Sequence, residues 1–458
     1  MASQASGVRV LALGELHGSL ADPLLDEMNF LNEVTARYPE AVSLAPGRPY
    51  EGLFDTSAIT EHLDTYVGHL REQGLAERRI RTALFQYGRT KGQIHELIAR
   101  TLANDEDIHV PAESIVVTVG AQEGMLLVLR ALFAGPQDAL LVSSPCYIGM
   151  TGAARLLDIP VLPVPEGPAG PDPAAVPAAV RRATAAGLRP RALYLVPDFA
   201  NPSGASMTTA ARAEMLDVAA REGLLIIEDN PYGFFTREVE PRPTLKSLDA
   251  IGTVIYLGSF AKTCFPGARL GYVVADQRVS ASAPAGNGAP AQPDGRLLAD
   301  ELAKIKSMVT VNTPSLSQAV IGGMLVRHDC HLRAASAETI DFYRSNLQLA
   351  LDGLDRHFPA ARRAELGISW NRPDGGFFIV LTVPFDADEA ALERSAREYG
   401  VLWAPMNAFF IGGGGQRQLR ISSSYLPPAE LETGIERLAA FLTAAAAPVM
   451  AAALPAER

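Results

Sequence analysis

The sequence predicts an α/β protein in which a large domain with a mostly parallel central sheet is followed by a smaller α+β domain. Three observations support this prediction. The chain has 458 residues, more than one hydrophobic core usually organises. Short apolar runs alternate with longer helical patterns between residues 111 and 275, as in βαβ units. From about residue 330 the pattern changes to a long helix, strands and a final helix.

The strands of the central sheet are predicted from six short apolar runs: Ile115–Val119, Ala139–Ser143, Ala192–Pro197, Leu224–Glu228, Val254–Gly258 and Leu270–Ala275. Helical patterns lie between several of them, for example at Gln122–Phe133 and Thr208–Glu222. Helices that join parallel strands cover both faces of the sheet, and ligands then bind beyond the carboxyl ends of the strands. The residues that directly follow each strand are therefore the candidate site residues.

The chain is predicted to divide into an N-terminal arm with part of the small domain (1–60), a large domain (61–328) and a C-terminal small domain (329–458). Segment 278–296 is rich in Ala, Gly, Pro and Ser, which predicts a flexible surface insertion. The tail Ala444–Arg458 is expected to fray. The small domain is predicted to contain a helix at Leu332–His357, strands near Gly376–Val383 and Arg417–Ser422, and a helix at Pro428–Ala446.

The composition argues against several classes of protein. A formal net charge of −11 disfavours a nucleic-acid partner, which requires a basic face. We find no run of eighteen uninterrupted apolar residues and no signal peptide, so we expect a cytoplasmic protein without a membrane span. The widely spaced Cys146, Cys264 and Cys330 predict reduced thiols. The eight scattered histidines lack the spacing of metal ligands, so no metal is expected.

The run Gly258–Tyr272 carries the most informative residues. Lys262 follows the apolar strand Val254–Gly258, with Ser259 three residues before it and Arg269 seven residues after it. An amine that can form a Schiff base, beside a hydroxyl group and a cation for a phosphate, is what pyridoxal 5′-phosphate (PLP) requires. A lone lysine in such a loop is more often an ordinary surface residue, so the interpretation depends on the residues that follow the other strands.

Other polar residues follow the neighbouring strands. Gly120–Gln122 opens a helix whose free N–H groups favour a phosphate. Tyr147 could stack on a flat ring or be an exposed loop residue, and Asn201 could contact a ligand or form an Asx turn. Asp229 follows an apolar strand, so its carboxylate needs a partner, either a pyridinium N–H or a helix cap. With Tyr232, these residues follow successive strands of one predicted sheet, which favours a shared PLP site.

With these residues, the sequence from about Ala41 to Leu442 resembles the fold-type I PLP enzymes of the class I/II aminotransferase family. The resemblance implies that Lys262 forms the Schiff base with the cofactor and that Asp229 keeps the pyridine nitrogen protonated. It also implies that Asn201 and Tyr232 hold the 3′-oxygen of the ring, which makes Lys262, Asp229 and Tyr232 the expected catalytic residues.

The same resemblance assigns the remaining contacts. Tyr147 would stack on the ring, and the phosphate would be held by Ala121, Gln122, Ser259 and Arg269. Segment Gln86–Gly92 looks like the stretch whose tyrosine, here Tyr87, reaches the phosphate of the partner subunit, which implies a homodimer with a composite site. Gly47 in a glycine loop, Asn201, and Arg420 in the strand Gln418–Ser422 would bind the substrate carboxylate. Without this context, Arg420 could be a solvated strand arginine.

The expected function is amino transfer between an amino acid and a 2-oxo acid. A second hypothesis keeps the same PLP site but diverts the chemistry, as an oxidase or hydroxylase, a cyclase or a β/γ-replacement enzyme. A third is a non-catalytic regulator that carries this domain. Such regulators need a basic DNA-binding module, whereas only some forty residues precede Gly47 and the chain is acidic.

A narrower resemblance concerns the substrate. Gly14–Leu20 and Leu44–Phe54 are similar to a subgroup from antibiotic biosynthesis that includes the (S)-3,5-dihydroxyphenylglycine transaminases. This implies an aromatic, arylglycine-type substrate. The pocket wall, or alternatively plain core, would be formed by Phe54, Trp403, Phe409 and Phe410. Departures from the common family residues, expected near the substrate end of the site, are Arg89, Ser144, Ala200 and Met406-Asn407.

Overall fold

The computed structural model describes residues 9–25, 36–167, 169–236, 242–280 and 295–453. The strands are β1 (Val42–Ser43), β2 (Ile115–Thr118), β3 (Asp138–Ser144), β4 (Val161–Gly167), β5 (Gly170–Pro171), β6 (Arg189–Leu195), β7 (Leu225–Asp229), β8 (Val254–Ser259), β9 (Gly271–Val274), β10 (Arg278–Val279), β11 (Arg296–Leu297), β12 (Ser369–Trp370), β13 (Phe378–Thr382), β14 (Val401–Leu402), β15 (Ala404–Pro405) and β16 (Gln418–Ser422).

The α-helices are α1 (Ser57–Glu72), α2 (Glu77–Phe85), α3 (His95–Glu106), α4 (Gly120–Leu132), α5 (Ile148–Leu156), α6 (Val176–Ala185), α7 (Thr209–Glu222), α8 (Leu245–Leu248), α9 (Leu298–Val309), α10 (Ser315–Arg327), α11 (Leu332–Ala335), α12 (Ala337–His357), α13 (Ala360–Leu366), α14 (Glu389–Arg394) and α15 (Pro428–Ala453). Short 3₁₀ turns connect several of them, and one of these, Pro266–Ala268, lies between β8 and β9.

The central sheet has eight strands in the order β2-β9-β8-β7-β6-β3-β4-β5. Strands β4, β3, β6, β7 and β8 are parallel to one another, whereas β9 runs antiparallel between β8 and β2. Alternate side chains are buried on opposite faces: Leu140 and Val142 in one apolar cluster, Leu141 in another. The predicted α/β class with a mostly parallel sheet is confirmed.

The six predicted strands correspond to β2, β3, β6, β7, β8 and β9, each within a few residues of its predicted bounds. Strand β4 was not expected, because Pro163 and Pro165 lack the N–H group that a ladder requires. The position of β4 in the sheet explains why the two prolines are tolerated. Strand β4 pairs along its length with β3, whereas only its last residues pair with β5. The prolines therefore lie near the edge of the sheet.

A second core surrounds a four-stranded antiparallel sheet of order β12-β13-β16-β15. Helices α12 and α15 pack together there, and Leu381, Leu419 and Phe441 are among its fully buried residues. Strand β1 joins this region by pairing in parallel with β14, so residues near the start of the chain lie beside its C-terminal part. The division of the chain at residues 60 and 328 stays a prediction.

Three expectations about the C-terminal half need correction or comment. The single helix predicted at Leu332–His357 is divided into α11 and α12 at Ser336. Fraying from Ala444 is wrong as far as Ala453, because the alanine-rich sequence favours helix and α15 continues through Pro448. Most of the predicted insertion 278–296 lies outside the described residues, and its ends pair as β10 and β11. Among the described helices, none is long and apolar enough to cross a membrane.

Candidate active site

A cavity of about 380 Å³ opens where the carboxyl ends of β6, β7 and β8 meet. These strands are neighbours in the sheet, so the residues that follow them lie together, as the parallel order predicts. Tyr87 lies outside the cavity of a single chain and is 83% exposed. The other predicted site residues all line the cavity: Gly47, Ala121, Gln122, Tyr147, Asn201, Asp229, Tyr232, Ser259, Lys262, Arg269 and Arg420.

Asp229 is the last residue of β7 and is almost completely buried at the floor of the cavity. Its Oδ2 accepts a hydrogen bond of 2.7 Å from the Tyr194 hydroxyl, whereas its buried Oδ1 has no partner among the described residues. Burial raises the pKa of Asp229 to about 6, partly offset by the Tyr194 hydrogen bond. A buried carboxylate oxygen without a donor fits a ligand that brings an N–H group, as a protonated pyridine ring does.

Lys262 follows β8 and is half-buried in the cavity wall. Its Nζ donates a hydrogen bond of 2.6 Å to the Gly47 carbonyl. Desolvation, together with the guanidinium groups of Arg269, Arg420 and Arg48, lowers the pKa of Lys262 to about 8. A larger fraction of this amine is therefore neutral at physiological pH than of an ordinary lysine, and a neutral amine is the nucleophile that attacks an aldehyde.

The opposite end of the cavity is built to receive an anion. Gly120 begins α4 with a φ of +69°, and a Cβ there would lie 2.7 Å from Nη2 of Arg269. A Cβ on Gly271 would lie 2.7 Å from the Ala121 nitrogen. Glycine at both positions lets the guanidinium, the helix N-terminus and the Ser259 turn come together, which is a suitable cradle for a phosphate.

A buried ion pair braces this cradle. The Val119 N–H donates a hydrogen bond of 2.6 Å to Glu123, which thereby fixes the turn into α4. Lys306, fully buried on α9, donates to both Glu123 oxygens at 3.0 and 2.8 Å and to the Thr310 hydroxyl at 2.8 Å. Glu123 and Lys306 are 183 residues apart, so no local pattern in the sequence indicates the pair.

The substrate end of the cavity is organised by Arg420 on β16. Its Nη1 donates to Oδ1 of Asn201 at 2.6 Å and its Nη2 to the Ala45 carbonyl at 2.8 Å. Its guanidinium lies 4.5 Å from the centre of the Phe378 ring, and this ring also occupies the space that a side chain at position 47 would need, so Gly47 is required there. Burial lowers the pKa of Arg420 to about 10, so it stays cationic at neutral pH.

Two tyrosines complete the site. Tyr232 lines the cavity together with Asn201, and its ring packs edge-on against Phe377 and Phe378. Burial raises the pKa of the Tyr232 hydroxyl and raises that of Tyr147 to about 12. Both hydroxyls are therefore neutral at physiological pH and can donate hydrogen bonds to a ligand.

The aromatic candidates for the pocket wall have different positions. Phe409 lines the main cavity, whereas Trp403 is buried in the second core and stacks on Phe441. Phe54 is partly exposed and contacts another ring edge-on outside the cavity lining. Phe410 borders an adjacent cavity of about 240 Å³ that also touches Phe409. Of the four, only Phe409 lines the main cavity in the described part of the chain.

The positions that depart from the common family residues are not all at the substrate end. Met406-Asn407 is near it, since Met406 packs in the apolar cluster that includes Phe409. Arg89 does not line the cavity of a single chain, and its guanidinium forms an ion pair of 3.0 Å with Glu113. Ser144 and Ala200 do not line it either in the described residues.

Two further residues of the site were missed from the sequence. Tyr194 donates a hydrogen bond to Asp229, and a signal for it was present in the sequence. It is a hydroxyl-bearing residue in an apolar strand, and the neighbouring strand ends in the acidic residue Asp229. Arg48 also lines the cavity, although only its neighbour Gly47 was singled out. A single arginine in a short loop follows no recognisable sequence pattern, so only its position in the folded chain identifies it as a residue of the site.

Known proteins share both the sequence and the fold. The chain is 50% identical over 435 residues to the (S)-3,5-dihydroxyphenylglycine transaminase of Amycolatopsis orientalis, with 95% of each chain covered. The multiple substrate aminotransferase of Thermococcus profundus superposes with a TM-score of 0.77 at 26% identity, covering 94% of this chain and 98% of that one. The α-aminoadipate aminotransferase LysN of Thermus thermophilus, complexed with N-(5′-phosphopyridoxyl)-L-leucine, gives 0.75 at 28% identity, covering 96% and 100%.

These similarities confirm the predicted resemblance and favour transamination over the alternative chemistries and over a regulator. The cofactor is PLP, and the reaction is amino transfer between an amino acid and a 2-oxo acid. Residues 65–438 match the family described as aminotransferase class I and II. The chain therefore belongs to the class I and II aminotransferases, which are PLP-dependent enzymes of fold type I.

Proposed function

We propose that the protein is an arylglycine transaminase of antibiotic biosynthesis and acts as a cytoplasmic homodimer. The observation that carries the proposal is the 50% identity, over 95% of both chains, to a (S)-3,5-dihydroxyphenylglycine transaminase. The cavity is compatible with an aromatic side chain, because Ile148, Phe409 and Met125 supply apolar walls beside the polar end.

The proposed roles of the residues follow from their positions. When bound, PLP supplies an aldehyde that takes up the amino group and a ring that withdraws electrons from the substrate. Lys262 would hold PLP through its amine, and the free amine would remove the proton from the substrate Cα. Oδ1 of Asp229 would accept a hydrogen bond from the protonated ring nitrogen, and the hydrogen bond from Tyr194 would keep the carboxylate in place.

Substrate orientation is assigned to the other end of the cavity. Arg420 would bind the substrate carboxylate, with Asn201 and the Gly47 loop fixing the guanidinium. Tyr147 would cover one face of the ring, and Tyr232 would donate to its 3′-oxygen. The phosphate would be held by Ala121, Gln122, Ser259 and Arg269.

A half-reaction screen tests the proposed substrate. Purified holoenzyme is mixed with (S)-3,5-dihydroxyphenylglycine, phenylglycine, alanine or leucine, and the absorbance band of the lysine-bound cofactor is followed with time. We expect the arylglycines to react at least about tenfold faster than alanine or leucine, because the apolar walls bind their rings. Faster reaction with the aliphatic amino acids than with either arylglycine would contradict the proposal.

The homodimer is supported by apolar residues that one chain leaves exposed. Phe85, Tyr87 and Met308 are 71%, 83% and 84% exposed, and exposed apolar surface of this kind is available for contact with another chain. We propose that a second copy covers them and that Tyr87 contacts the phosphate in the partner's site. In such a C2 dimer, each active site takes Lys262 from one subunit and Tyr87 from the other.

Subunit mixing tests this composite site. Tyr87→Ala and Lys262→Ala homodimers are each expected to be strongly impaired at limiting PLP. Random exchange of their subunits yields mixed dimers with one intact site, so activity should recover to about a quarter of the wild-type value. Mixed dimers that stay as inactive as the parents would show that Tyr87 acts within its own subunit or not at all.

A further inference from the structure

The side chain of Asn371, the residue that follows β12, connects the small antiparallel sheet to the central sheet. Its Oδ1 accepts a hydrogen bond of 2.8 Å from the Val380 N–H, and its Nδ2 donates one of 2.7 Å to the Ser203 carbonyl. Because one partner is a donor and the other an acceptor, the orientation of the amide is fixed. Asn371 therefore ties strand β13 to the turn after β6 that contains Asn201.

The contact with Val380 replaces a regular hydrogen bond between two strands. Strand β12 pairs antiparallel with β13, and the Asn371 N–H continues this pairing by donating to the Val380 carbonyl at 3.2 Å. In a regular antiparallel pair, the Val380 N–H would donate back to the main-chain carbonyl of Asn371. It donates instead to the side-chain Oδ1, so strand β12 ends there and Nδ2 is directed towards Ser203.

These contacts form a closed path that includes the arginine assigned to the substrate carboxylate. Val380 on β13 is the register partner of Arg420 on β16. Nη1 of Arg420 donates to Oδ1 of Asn201 at 2.6 Å, and Asn201 lies two residues before Ser203 in the same turn. Short hydrogen bonds in a closed path restrain one another. Asn371 therefore restrains the position of the Arg420 guanidinium relative to Asn201.

Close packing beside Asn371 leaves this turn little freedom to move. Gly204 has a φ of +69°, and a Cβ there would lie 2.7 Å from the Phe378 carbonyl and 3.3 Å from Nδ2 of Asn371. The centre of the Phe378 ring also lies 4.5 Å from Cζ of Arg420. Glycine next to Ser203 therefore allows the turn to approach β13 closely, at the strand that supports the guanidinium.

We infer that Asn371 is a positioning residue for the substrate α-carboxylate, because it holds Asn201 and Arg420 at the spacing that the carboxylate requires. Asn371 does not line the cavity in the described part of the chain, so it acts through those two side chains. The inference rests on the proposed role of Arg420. It applies to every amino acid substrate, since each carries an α-carboxylate, and a displaced guanidinium pairs less well with that group.

The test measures single-turnover rates of holoenzyme variants with phenylglycine, alanine and leucine, and the affinity of the apo forms for PLP. In Asn371→Ala, the limiting rate divided by the half-saturating concentration should fall about tenfold for each amino acid that reacts, mainly through a higher half-saturating concentration. Asn371→Asp is similar in shape and keeps the acceptor for Val380, but its carboxylate cannot donate to Ser203, so it should lose about as much. The dissociation constant of PLP should change by less than about threefold.

Gln348→Ala is the matched control, because Gln348 hydrogen-bonds to Asp352 on the surface of α12 and does not line the cavity. In an Arg420→Ala background, Asn371→Ala should cause no further loss, since its effect passes through that guanidinium. Additive losses in the double variant, an equal loss of PLP affinity, or normal rates in both Asn371 variants while Arg420→Ala is impaired would each overturn the assignment. Normal rates in Arg420→Ala would refute the carboxylate site itself, and the role of Asn371 with it.

Discussion

Replacement of Lys262 by alanine is expected to abolish turnover while the chain remains folded. The loss of proton transfer at the substrate Cα alone lowers the rate by about 10²- to 10⁴-fold, and the loss of covalent attachment adds to it. Folding should change little, because the amine makes one side-chain hydrogen bond, to the Gly47 carbonyl, and its removal also relieves desolvation of the charge. Single-turnover rates and thermal unfolding of the apo forms measure the two effects.

Lys304→Ala is the matched control for this variant. Lys304 is an exposed lysine that pairs with Glu301 on α9, far from the chemistry, so its removal should leave turnover unchanged. Added small primary amines should restore part of the activity of Lys262→Ala, since they can replace the missing base. Near-normal transamination by Lys262→Ala would refute the assigned role, and an unfolded variant would show that the amine also supports the fold.

The cofactor half of the site could be predicted from the sequence because it belongs to one parallel sheet. Helices join β6, β7 and β8 in order, so the residues after these strands must lie at one edge of the sheet. Asn201, Asp229 and Lys262 accordingly line one cavity. The local pattern of each strand was sufficient for this prediction, because consecutive parallel strands bring the residues that follow them to the same edge of the sheet.

The substrate half could not be derived in the same way, because it depends on contacts between distant segments. Arg420 reaches Asn201 and Ala45 across 219 and 375 residues of sequence. Those contacts follow from the pairing of β1 with β14 and of β16 with β13, which no local pattern encodes. The resemblance to a family supplied the role of Arg420, whereas Arg48 and Tyr194 became visible only through their positions in the fold.

Replacement of Asp229 by asparagine is expected to slow removal of the substrate α-proton by at least about 100-fold. Asparagine has the same shape and can keep the contact with Tyr194, but it is neutral and no longer pairs with a cationic ring nitrogen. Breaking a buried pair of this kind costs about 3 kcal/mol or more, which corresponds to roughly two orders of magnitude in rate. Single-turnover rates with substrate protonated or deuterated at Cα would show whether this step is the one affected.

Tyr194→Phe separates the charge of Asp229 from its positioning. It removes the hydrogen bond of 2.7 Å to Oδ2 and leaves the carboxylate and its free Oδ1, so we expect a loss of about tenfold, the usual range for one hydrogen bond to a charged group. Asp229→Asn should also remove a carboxylate whose burial is unfavourable, as shown by the rise of its pKa to about 6. The free energy of unfolding of the Asp229→Asn variant should therefore not fall. A single-turnover rate unchanged in Asp229→Asn, or a larger loss in Tyr194→Phe, would show that the negative charge at the floor of the cavity does not support the chemistry.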